Sequence, residues 1–374
     1  MEYNLITFIV TKTCQLACRY CYLVGKNNNE RMSLDMARKS IDYILRCKEF
    51  NKINKITFDF IGGEPLLEIN LINDICDYII EELNIMNHRW KNNYKFSFTT
   101  NGLLYADEIV QQFIKKHKEH IEITLSIDGN KKKNDINRIF PNGKGSYDKV
   151  INNVKLWVQQ FPNARTNMVV SSADLPYIYD SVIHLFQIGL KRVDIVPVVE
   201  DTWNPGDEKI FEYQLICLAD YLIDNDLYES HKIYAFDEAI GHALTVEDVL
   251  SPCRRSILTI DSKGDFYRCL RFAKFSLRSK APRKIGNVNN GINNNLLRPY
   301  LTMNNTTVLS KKCEDCEIAS GCRWCPAENY DASVEGSIFI RATAICRIHH
   351  ARVKANNYFQ QRLSAIEAKR LYCL

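Results

Sequence analysis

Three cysteines near the amino terminus have the spacing of metal ligands. Cys14, Cys18 and Cys21 form a Cys-x-x-x-Cys-x-x-Cys pattern directly after an apolar segment over residues 5–11. Thiolates are the soft ligands that iron–sulfur clusters require. Because a four-iron cluster has four irons, three cysteines leave one iron open to bind a small molecule. The pattern therefore predicts such a cluster, and the alternatives are a zinc site or cysteines that only pack in a core.

A second and denser set of cysteines lies in the carboxyl-terminal half of the chain. Its first two members follow a Cys-x10-Gly-x4-Cys pattern around Gly264. The chain has fourteen cysteines and opens without a signal peptide, so we expect reduced thiols that serve metal binding, catalysis or packing rather than disulfides. Zinc ribbons are the alternative to cluster sites here. The set comprises Cys253, Cys269, Cys313, Cys316, Cys322, Cys325 and Cys346.

Apolar segments of strand type alternate with segments of helical period over the first 200 residues. One helix is expected to begin after Ser33, a residue type that caps helix amino termini. Alternation of this kind predicts a parallel sheet with helices outside it, and six units fit a partial (β/α)6 barrel related to the eight-unit TIM barrel. The loop that carries the first cysteines then lies at the carboxyl-terminal mouth of the barrel, where active sites occur. The predicted strands cover residues 5–11, 55–61, 95–100, 121–127, 166–171 and 192–198.

Each of three predicted strands has one small polar face. Side chains alternate between the two faces of a strand, so polar residues two apart share a side. Since a sheet of alternating strands and helices is covered on both faces, we expect these side chains to line a polar cavity inside the barrel. The alternative is a sheet with its polar side in water. The residues concerned are Thr57 and Asp59, then Ser97 and Thr99, and finally Thr124, Ser126 and Asp128.

Composition and charge narrow the class of protein further. The net charge of +5 comes without long basic runs, so we expect no nucleic-acid partner. No apolar stretch reaches membrane-span length, and we expect a cytoplasmic protein that does not bind membranes. Periodicity fades after about residue 235. We therefore predict a barrel over residues 1–235, a cysteine-rich domain over 236–350, and a carboxyl-terminal helix and tail over 351–374.

The first cysteine motif resembles that of the radical S-adenosylmethionine (SAM) superfamily over residues 5–200. Tyr20, before the last cysteine, and the Gly-Gly-Glu-Pro run that begins at Gly62 both match the family. Arg138 is a further candidate for contact with the cofactor carboxylate or the substrate, with an ordinary surface arginine as the alternative. The positions that the resemblance assigns to SAM binding are Tyr20, Gly62, Gly63, Glu64, Asn101, Ser126, Asp128 and Val196.

This resemblance implies an enzyme. A [4Fe-4S] cluster on the first three cysteines would receive an electron from a donor such as flavodoxin or ferredoxin and pass it to SAM. The 5′-deoxyadenosyl radical that results would remove a hydrogen atom from the substrate. No residue of this chain is assigned as a catalytic acid or base.

The second cysteine set resembles the SPASM domain, which holds auxiliary [4Fe-4S] clusters. The resemblance implies one complete cluster on Cys313, Cys316, Cys322 and Cys346. It implies a nearer cluster with one open iron on Cys253, Cys269 and Cys325, which makes three [4Fe-4S] clusters in all. This chain departs from the usual pattern by having two residues, Arg323 and Trp324, where the family has three.

Relatives with SPASM domains mostly modify peptides or proteins. An open auxiliary iron is typical of maturases that join a cysteine sulfur to a carbon of the same peptide, so we expect thioether formation on a cysteine-containing precursor peptide. Formylglycine-forming relatives place an acid directly after the second auxiliary cysteine, whereas this chain has Leu270 and Arg271. The alternatives are formylglycine formation, epimerisation or carbon–carbon crosslinking and, from another class, a zinc-containing binding module.

Overall fold

The computed structural model describes residues 4–47, 50, 53–200, 203–245, 257–303, 311–322 and 324–372. The first six strands agree with the predicted segments to within two residues at each end. The strands are β1 (Leu5–Thr11), β2 (Ile56–Gly62), β3 (Tyr94–Thr100), β4 (Ile121–Leu125), β5 (Arg165–Val170), β6 (Arg192–Pro197), β7 (Lys232–Ile233), β8 (Ile257–Ile260), β9 (Asp265–Tyr267), β10 (Lys284–Asn287) and β11 (Gly291–Ile292).

Helices follow most of the early strands, as the alternating pattern predicts. The first begins where expected, because the Ser33 side chain accepts a hydrogen bond from the Met36 amide at 3.2 Å. The last begins at Cys346 rather than at residue 351. The helices are α1 (Leu34–Arg46), α2 (Ile69–Ile85), α3 (Glu108–Lys116), α4 (Lys131–Asn137), α5 (Tyr147–Gln160), α6 (Ile178–Ile188), α7 (Asp207–Asp224), α8 (Asn294–Leu301), α9 (Lys311–Glu314), α10 (Pro326–Ala332) and α11 (Cys346–Tyr372).

The described strands form two sheets rather than one continuous barrel wall. The larger has the order β11-β10-β9-β8-β1-β2-β3-β4, and the smaller has the order β5-β6-β7. No ladder joins β4 to β5 among the described residues, and side chains bridge the gap instead. The Thr166 hydroxyl donates to the Leu125 carbonyl at 3.0 Å, and the Val169 amide donates to the Asp128 carboxylate at 3.0 Å. The prediction of a partial, open barrel is confirmed, but the wall has a seam.

Strands from the carboxyl-terminal half extend the larger sheet. β8 pairs in parallel with β1, and β9 to β11 continue in antiparallel fashion. α11 packs on α7, where the Tyr358 hydroxyl donates to Asp220 at 2.8 Å, and Phe359 of α11 stacks on Phe236, which follows β7, with ring centres 4.6 Å apart. The domain boundaries near residues 235 and 350 stay predictions.

The two faces of the central strands have different chemistry, which places the core. On β2, Phe58 and Phe60 are fully buried beneath the outer helices, and Phe96 of β3 packs beside them. The alternate side chains of the same strands are polar and point to the opposite face. None of the helices in the described ranges combines the length and apolar character needed to cross a bilayer.

Candidate active site

The loop that carries the first three cysteines is anchored from two sides. The Cys14 amide donates to the Asn27 side chain at 2.9 Å. Further along, the amides of Ala17 and Arg19 donate to the carbonyls of Ile139 and Asn137 at 2.7 and 3.0 Å, at the end of α4. The loop therefore has a fixed path between the carboxyl end of β1, where the sequence predicts it, and the end of α4.

All three thiols of this loop line one cavity of about 360 Å³, which we call the cofactor cavity. Its volume lies within the range of small-molecule sites. Burial chiefly raises the pKa of the Cys18 thiol to about 11 and also raises the pKa of Cys14. Because metal ligands must be deprotonated, loading of a metal group here releases protons and is opposed by low pH.

The donor set of the cofactor cavity fits an iron–sulfur cluster. Zinc held by thiolates at about 2.3 Å would require those sulfurs to converge on one point. No group of three or more His, Cys, Asp and Glu side chains in the described ranges is arranged to hold a single ion. Three thiols that line one cavity suit the corners of a larger cluster, and the assignment of Cys14, Cys18 and Cys21 as its ligands stays a prediction.

Two glycines allow the loop after β2 to lie directly against the cysteine loop. A Cβ atom on Gly62 would come within 2.0 Å of the Thr11 carbonyl oxygen, and one on Gly63 within 2.2 Å of the Thr13 oxygen. The amides of Gly63 and Glu64 donate to those same carbonyls at 3.0 and 2.8 Å. Any side chain at either glycine would separate the two loops that border the cavity.

Glu64 joins the end of β2 to the end of β3. Its carboxylate accepts hydrogen bonds from the Thr100 hydroxyl at 2.6 Å, the Asn101 amide at 2.7 Å and the Leu66 amide at 3.0 Å. Burial raises the pKa of Glu64 to about 7, although these donors favour the charged form. Asn101 in turn points its amide at Gln15 in the cysteine loop, 3.1 Å away. The Gly-Gly-Glu-Pro run thus holds the end of β2, the end of β3 and the cysteine loop in place around the cofactor cavity.

Asp128 organises the opposite wall. One carboxylate oxygen accepts from the Tyr20 hydroxyl and from the Arg138 Nε at 3.0 Å, and the other accepts from the Val169 amide at 3.0 Å. Burial lowers the pKa of the Arg138 guanidinium, but the charges of Asp128, Tyr20 and Cys18 outweigh burial and hold that pKa above its ordinary value. Arg138 is therefore a paired, buried residue, and the surface-arginine alternative is wrong.

Eight of the nine predicted cofactor residues line the cofactor cavity, and the ninth, Asp128, lies behind the wall. Ser126 follows β4, and its amide donates to the Thr100 carbonyl at 2.9 Å. Val196 of β6 borders the cavity together with Val169 of β5. The structure brings these positions together, and their contact with SAM stays a prediction. The eight that line the cavity are Tyr20, Gly62, Gly63, Glu64, Asn101, Ser126, Arg138 and Val196.

A polar row crosses the interior face of three strands. Asp59 of β2 accepts from Ser97 of β3 at 2.6 Å and from Thr7 of β1 at 3.3 Å. The three residues stand side by side in the sheet register. The prediction of a polar interior face is confirmed at this level of the sheet.

We expect Asp59→Asn to remove a pH dependence of stability. Burial raises the pKa of Asp59 from 3.8 to about 6, against the opposing effect of its two hydroxyl donors. The folded chain then binds this proton more tightly than the unfolded chain does. The corresponding stabilisation is present below about pH 3.8 and is lost as the pH rises through about 6. Urea denaturation at several pH values should show the slope in the wild type.

The variant should show a smaller slope, because asparagine keeps hydrogen bonds to both hydroxyls without a titrating group. Asp74→Asn, on the exposed face of α2, is the control and should leave the slope unchanged. Equal slopes for wild type and Asp59→Asn would contradict the prediction.

Sequence reasoning missed a charged junction at the far wall of the cofactor cavity. Arg271 forms ion pairs with Glu200 and, at 3.3 Å, with Glu328, and its guanidinium lies 4.4 Å from the centre of the Tyr22 ring. Arg271 and Glu200 also line a second cavity of about 220 Å³ beside α10. The two carboxylates lie far from Arg271 in sequence, so no spacing pattern could reveal the junction.

The second cysteine set also comes together in space. Cys313, Cys316, Cys322 and Cys346 line one cavity of about 470 Å³. Cys269 and Cys325 line a different, small pocket, which we call the inner pocket. Cys253, the third predicted ligand there, lies outside the described residues. The grouping agrees with the two predicted ligand sets, and the presence of two auxiliary clusters stays a prediction.

Sequence comparison shows which known proteins this chain is similar to. Residues 8–172 match the model of the radical SAM superfamily. The chain is 35% identical over 186 residues to an uncharacterized protein of Methanocaldococcus jannaschii, with 49% of this chain and 59% of that protein covered. It is 28% identical to the cysteine-type anaerobic sulfatase-maturating enzyme of Clostridium novyi, with 39% and 38% covered.

A third relative is the antilisterial bacteriocin subtilosin biosynthesis protein AlbA of Bacillus subtilis. It is 25% identical to this chain, with 50% of this chain and 37% of that protein covered. The chain thus spans between 37% and 59% of the length of these three relatives. The region that matches the radical SAM model, residues 8–172, includes both the cysteine loop and the Gly-Gly-Glu-Pro run.

Solved structures with the same fold cover nearly the whole chain. Native anSMEcpe with bound AdoMet and the Kp18Cys peptide has a TM-score of 0.68 and 18% identity, with 99% of this chain and 100% of that chain covered. SuiB of Streptococcus suis bound to the precursor peptide SuiA has a TM-score of 0.60 and 16% identity, with 92% and 76% covered. These likenesses establish the fold. Residues 8–172, which carry the three cysteines anchored at the mouth of this fold, match the radical SAM superfamily.

Proposed function

We propose that this chain modifies a cysteine-containing precursor peptide and joins a cysteine sulfur to a carbon of the same peptide. The observation that supports this most is the closeness of the two cysteine sites. The Arg271 amide donates to the Cys269 sulfur at 3.3 Å, and the Arg271 side chain lines the cofactor cavity 4.4 Å from the centre of the ring of Tyr22, the residue after Cys21. A substrate bound between these sites would be within reach of both.

Residues of this chain would hold an iron–sulfur cluster and SAM. Cys14, Cys18 and Cys21 would hold the cluster that binds SAM. The cluster and SAM would together supply the 5′-deoxyadenosyl radical that removes a hydrogen atom from the substrate. Glu64 keeps the loops at the ends of β2 and β3 in place, and the Asp128 network holds Tyr20 and Arg138 in the wall. The part of the protein is to fix the reacting carbon and to exclude water.

The reaction balances without an added oxidant. One substrate carbon loses a hydrogen atom, the cysteine sulfur loses a proton, and a carbon–sulfur bond forms. Bound SAM would supply the two-electron oxidation and would leave as methionine and 5′-deoxyadenosine, which would carry the hydrogen atom. The electron that starts the reaction is returned when the bond closes, so an auxiliary cluster on Cys253, Cys269 and Cys325 would serve as its acceptor. A flavodoxin or ferredoxin in the cytoplasm would supply the first electron.

Formylglycine formation is the second candidate, because the relative from Clostridium novyi is a sulfatase-maturating enzyme. Against it stands the turn after Cys269. Leu270 is buried there, and Arg271 is held by Glu200 and Glu328. These two carboxylates are thus engaged in ion pairs with Arg271, and neither directly follows the cysteine in the chain. A zinc-containing binding module is disfavoured, because the superfamily match includes the cysteine loop.

The test is anaerobic co-expression with short cysteine-containing peptides encoded beside the gene. Thioether formation predicts a loss of two hydrogens per link, one cysteine per link that no longer reacts with iodoacetamide, and 5′-deoxyadenosine in equal amount. A peptide that exchanges its cysteine thiol for an aldehyde would support formylglycine formation instead. An unchanged mass with rapid 5′-deoxyadenosine formation would exclude the peptide as substrate.

We expect Cys269→Ala to separate cofactor cleavage from peptide modification. Cys269 lies in the inner pocket and not among the three cysteines of the first loop. The variant should still form 5′-deoxyadenosine, whereas the peptide mass should remain unchanged. Cys76→Ala, a fully buried position in α2, is the matched control and should retain both activities. Full crosslinking by Cys269→Ala would count against an auxiliary role for this site.

A further inference from the structure

One buried tyrosine hydroxyl in the inner pocket has no hydrogen-bond partner among the residues that the structure describes. Tyr300 of α8 lines this pocket together with Cys269 and Cys325. Its side chain is 3% exposed, and its hydroxyl is paired with no atom of the described residues. A buried polar group without a partner costs about 1–3 kcal/mol, so native proteins rarely keep one without a reason.

Packing alone does not explain the hydroxyl. The Phe272 ring meets the Tyr300 ring edge to face at 5.3 Å, and the Arg283 guanidinium lies 5.4 Å from its centre. Phenylalanine would keep both of these ring contacts and would avoid the cost of the unpaired group. The hydroxyl is therefore available to an acceptor inside the inner pocket.

The surroundings of the hydroxyl indicate sulfur as that acceptor. Burial is the chief cause that raises the pKa of Tyr300, while Arg283 and Arg268 lower it and the nearby Cys269 thiolate raises it further. Cys269 and Cys325 line the same pocket as Tyr300, so the phenol and both thiols share one site. An ordinary tyrosine hydroxyl is protonated at neutral pH and can donate one hydrogen bond.

We propose that the Tyr300 hydroxyl donates a hydrogen bond to a sulfur of an iron–sulfur cluster held by Cys269 and Cys325. The proposal rests on the auxiliary cluster of the proposed function and gives a residue outside the cysteine pattern a role in it. Hydrogen bonds to cluster sulfurs are among the features that set reduction potential. A donor favours the reduced cluster, because that form carries more negative charge.

The consequence is a lower reduction potential without the hydroxyl. We expect Tyr300→Phe to lower the ratio of reduced to oxidised inner cluster about tenfold at a fixed potential, which corresponds to about 59 mV for one electron. The iron content should not change, because the hydroxyl is a donor and not an iron ligand.

The experiment uses the full chain with Cys14, Cys18 and Cys21 replaced by alanine, so that only auxiliary clusters remain. Iron and sulfide are counted first, and the reduced clusters are then titrated against potential by electron paramagnetic resonance. Tyr300→Phe is compared with its parent and with Tyr228→Phe. Tyr228 is also a buried tyrosine, but it follows α7 on the barrel side, away from the inner pocket.

The outcomes separate this inference from the proposed function. If one of the two auxiliary transitions moves to lower potential in Tyr300→Phe alone, the inference holds. If iron is present and both transitions are unchanged, the inference is wrong while the auxiliary clusters stand. Loss of iron in Tyr300→Phe would also overturn it, since a ligand rather than a donor would be missing. A parent without iron would refute the auxiliary clusters and the inference together.

Discussion

Replacing Cys14, Cys18 and Cys21 together by alanine is expected to abolish SAM cleavage. The three thiols are the only cysteines that line the cofactor cavity among the described residues. A chain without them has no soft ligand at the position where an open iron could hold SAM. The 5′-deoxyadenosine formed with dithionite under anaerobic conditions should fall to background.

The iron count should fall at the same time by about four per chain, from about twelve for three four-iron clusters. The control is Cys76→Ala, at a fully buried position of α2, which should retain both the iron and the activity. Residual 5′-deoxyadenosine above the dithionite blank in the triple variant would show that the reaction has another site.

Asp128→Asn is expected to cost about 3–5 kcal/mol of stability and to abolish SAM binding. Three donors converge on the two oxygens of this carboxylate, from Tyr20, Arg138 and the Val169 amide. Asparagine has one acceptor oxygen and turns an amide donor toward one of these groups. The Arg138 side chain is 10% exposed and the Asp128 side chain 0%, so the guanidinium would lose its partner in a buried site.

The loss is measured by urea denaturation of the purified chain and by equilibrium dialysis against labelled SAM. Asp77→Asn breaks an ion pair with Lys116 that is nearly half exposed on both sides. Exposed pairs contribute about 0–1 kcal/mol, so this control should unfold close to the wild type and bind SAM normally. A similar stability for the two variants would show that the Asp128 network is not the brace described here.

Much of the fold could be predicted from local sequence patterns. The strand segments could be predicted because buried parallel strands are short apolar runs, and β1 to β6 lie where those runs lie. Ser33 and the buried positions Ala37, Ile41 and Ile44 show why α1 was visible, since a cap and a helical period coincide there. The cysteine loop follows from the same logic, because its spacing is local.

Long-range arrangement was not visible in the same way. The seam between β4 and β5 depends on Thr166 and Asp128, whose side chains replace a backbone ladder across the gap. Parallel pairing of β8 with β1 joins segments far apart in the chain. The junction of Arg271 with Glu200 and Glu328 is assembled in the same manner. Single-chain patterns contain no signal for such contacts.

Some buried positions cannot be recognised from their residue type or from the sequence around them. A tyrosine at position 300 looks like an ordinary aromatic residue in α8, and only its burial without a partner marks it. Arg138 is predicted to contact the cofactor or the substrate, with a surface arginine as the alternative, and its ion pair with Asp128 shows that it is buried. Burial and pairing, rather than residue type, distinguish such positions.

The central claim is that the cluster on Cys14, Cys18 and Cys21 leaves one iron free to bind SAM. Electron paramagnetic resonance of the anaerobically reduced protein tests it directly, with and without SAM. The account predicts that SAM changes the signal of one cluster and that the change is absent when the three cysteines are alanine. Spectra that are identical with and without SAM, in a protein that carries its full iron, would contradict it.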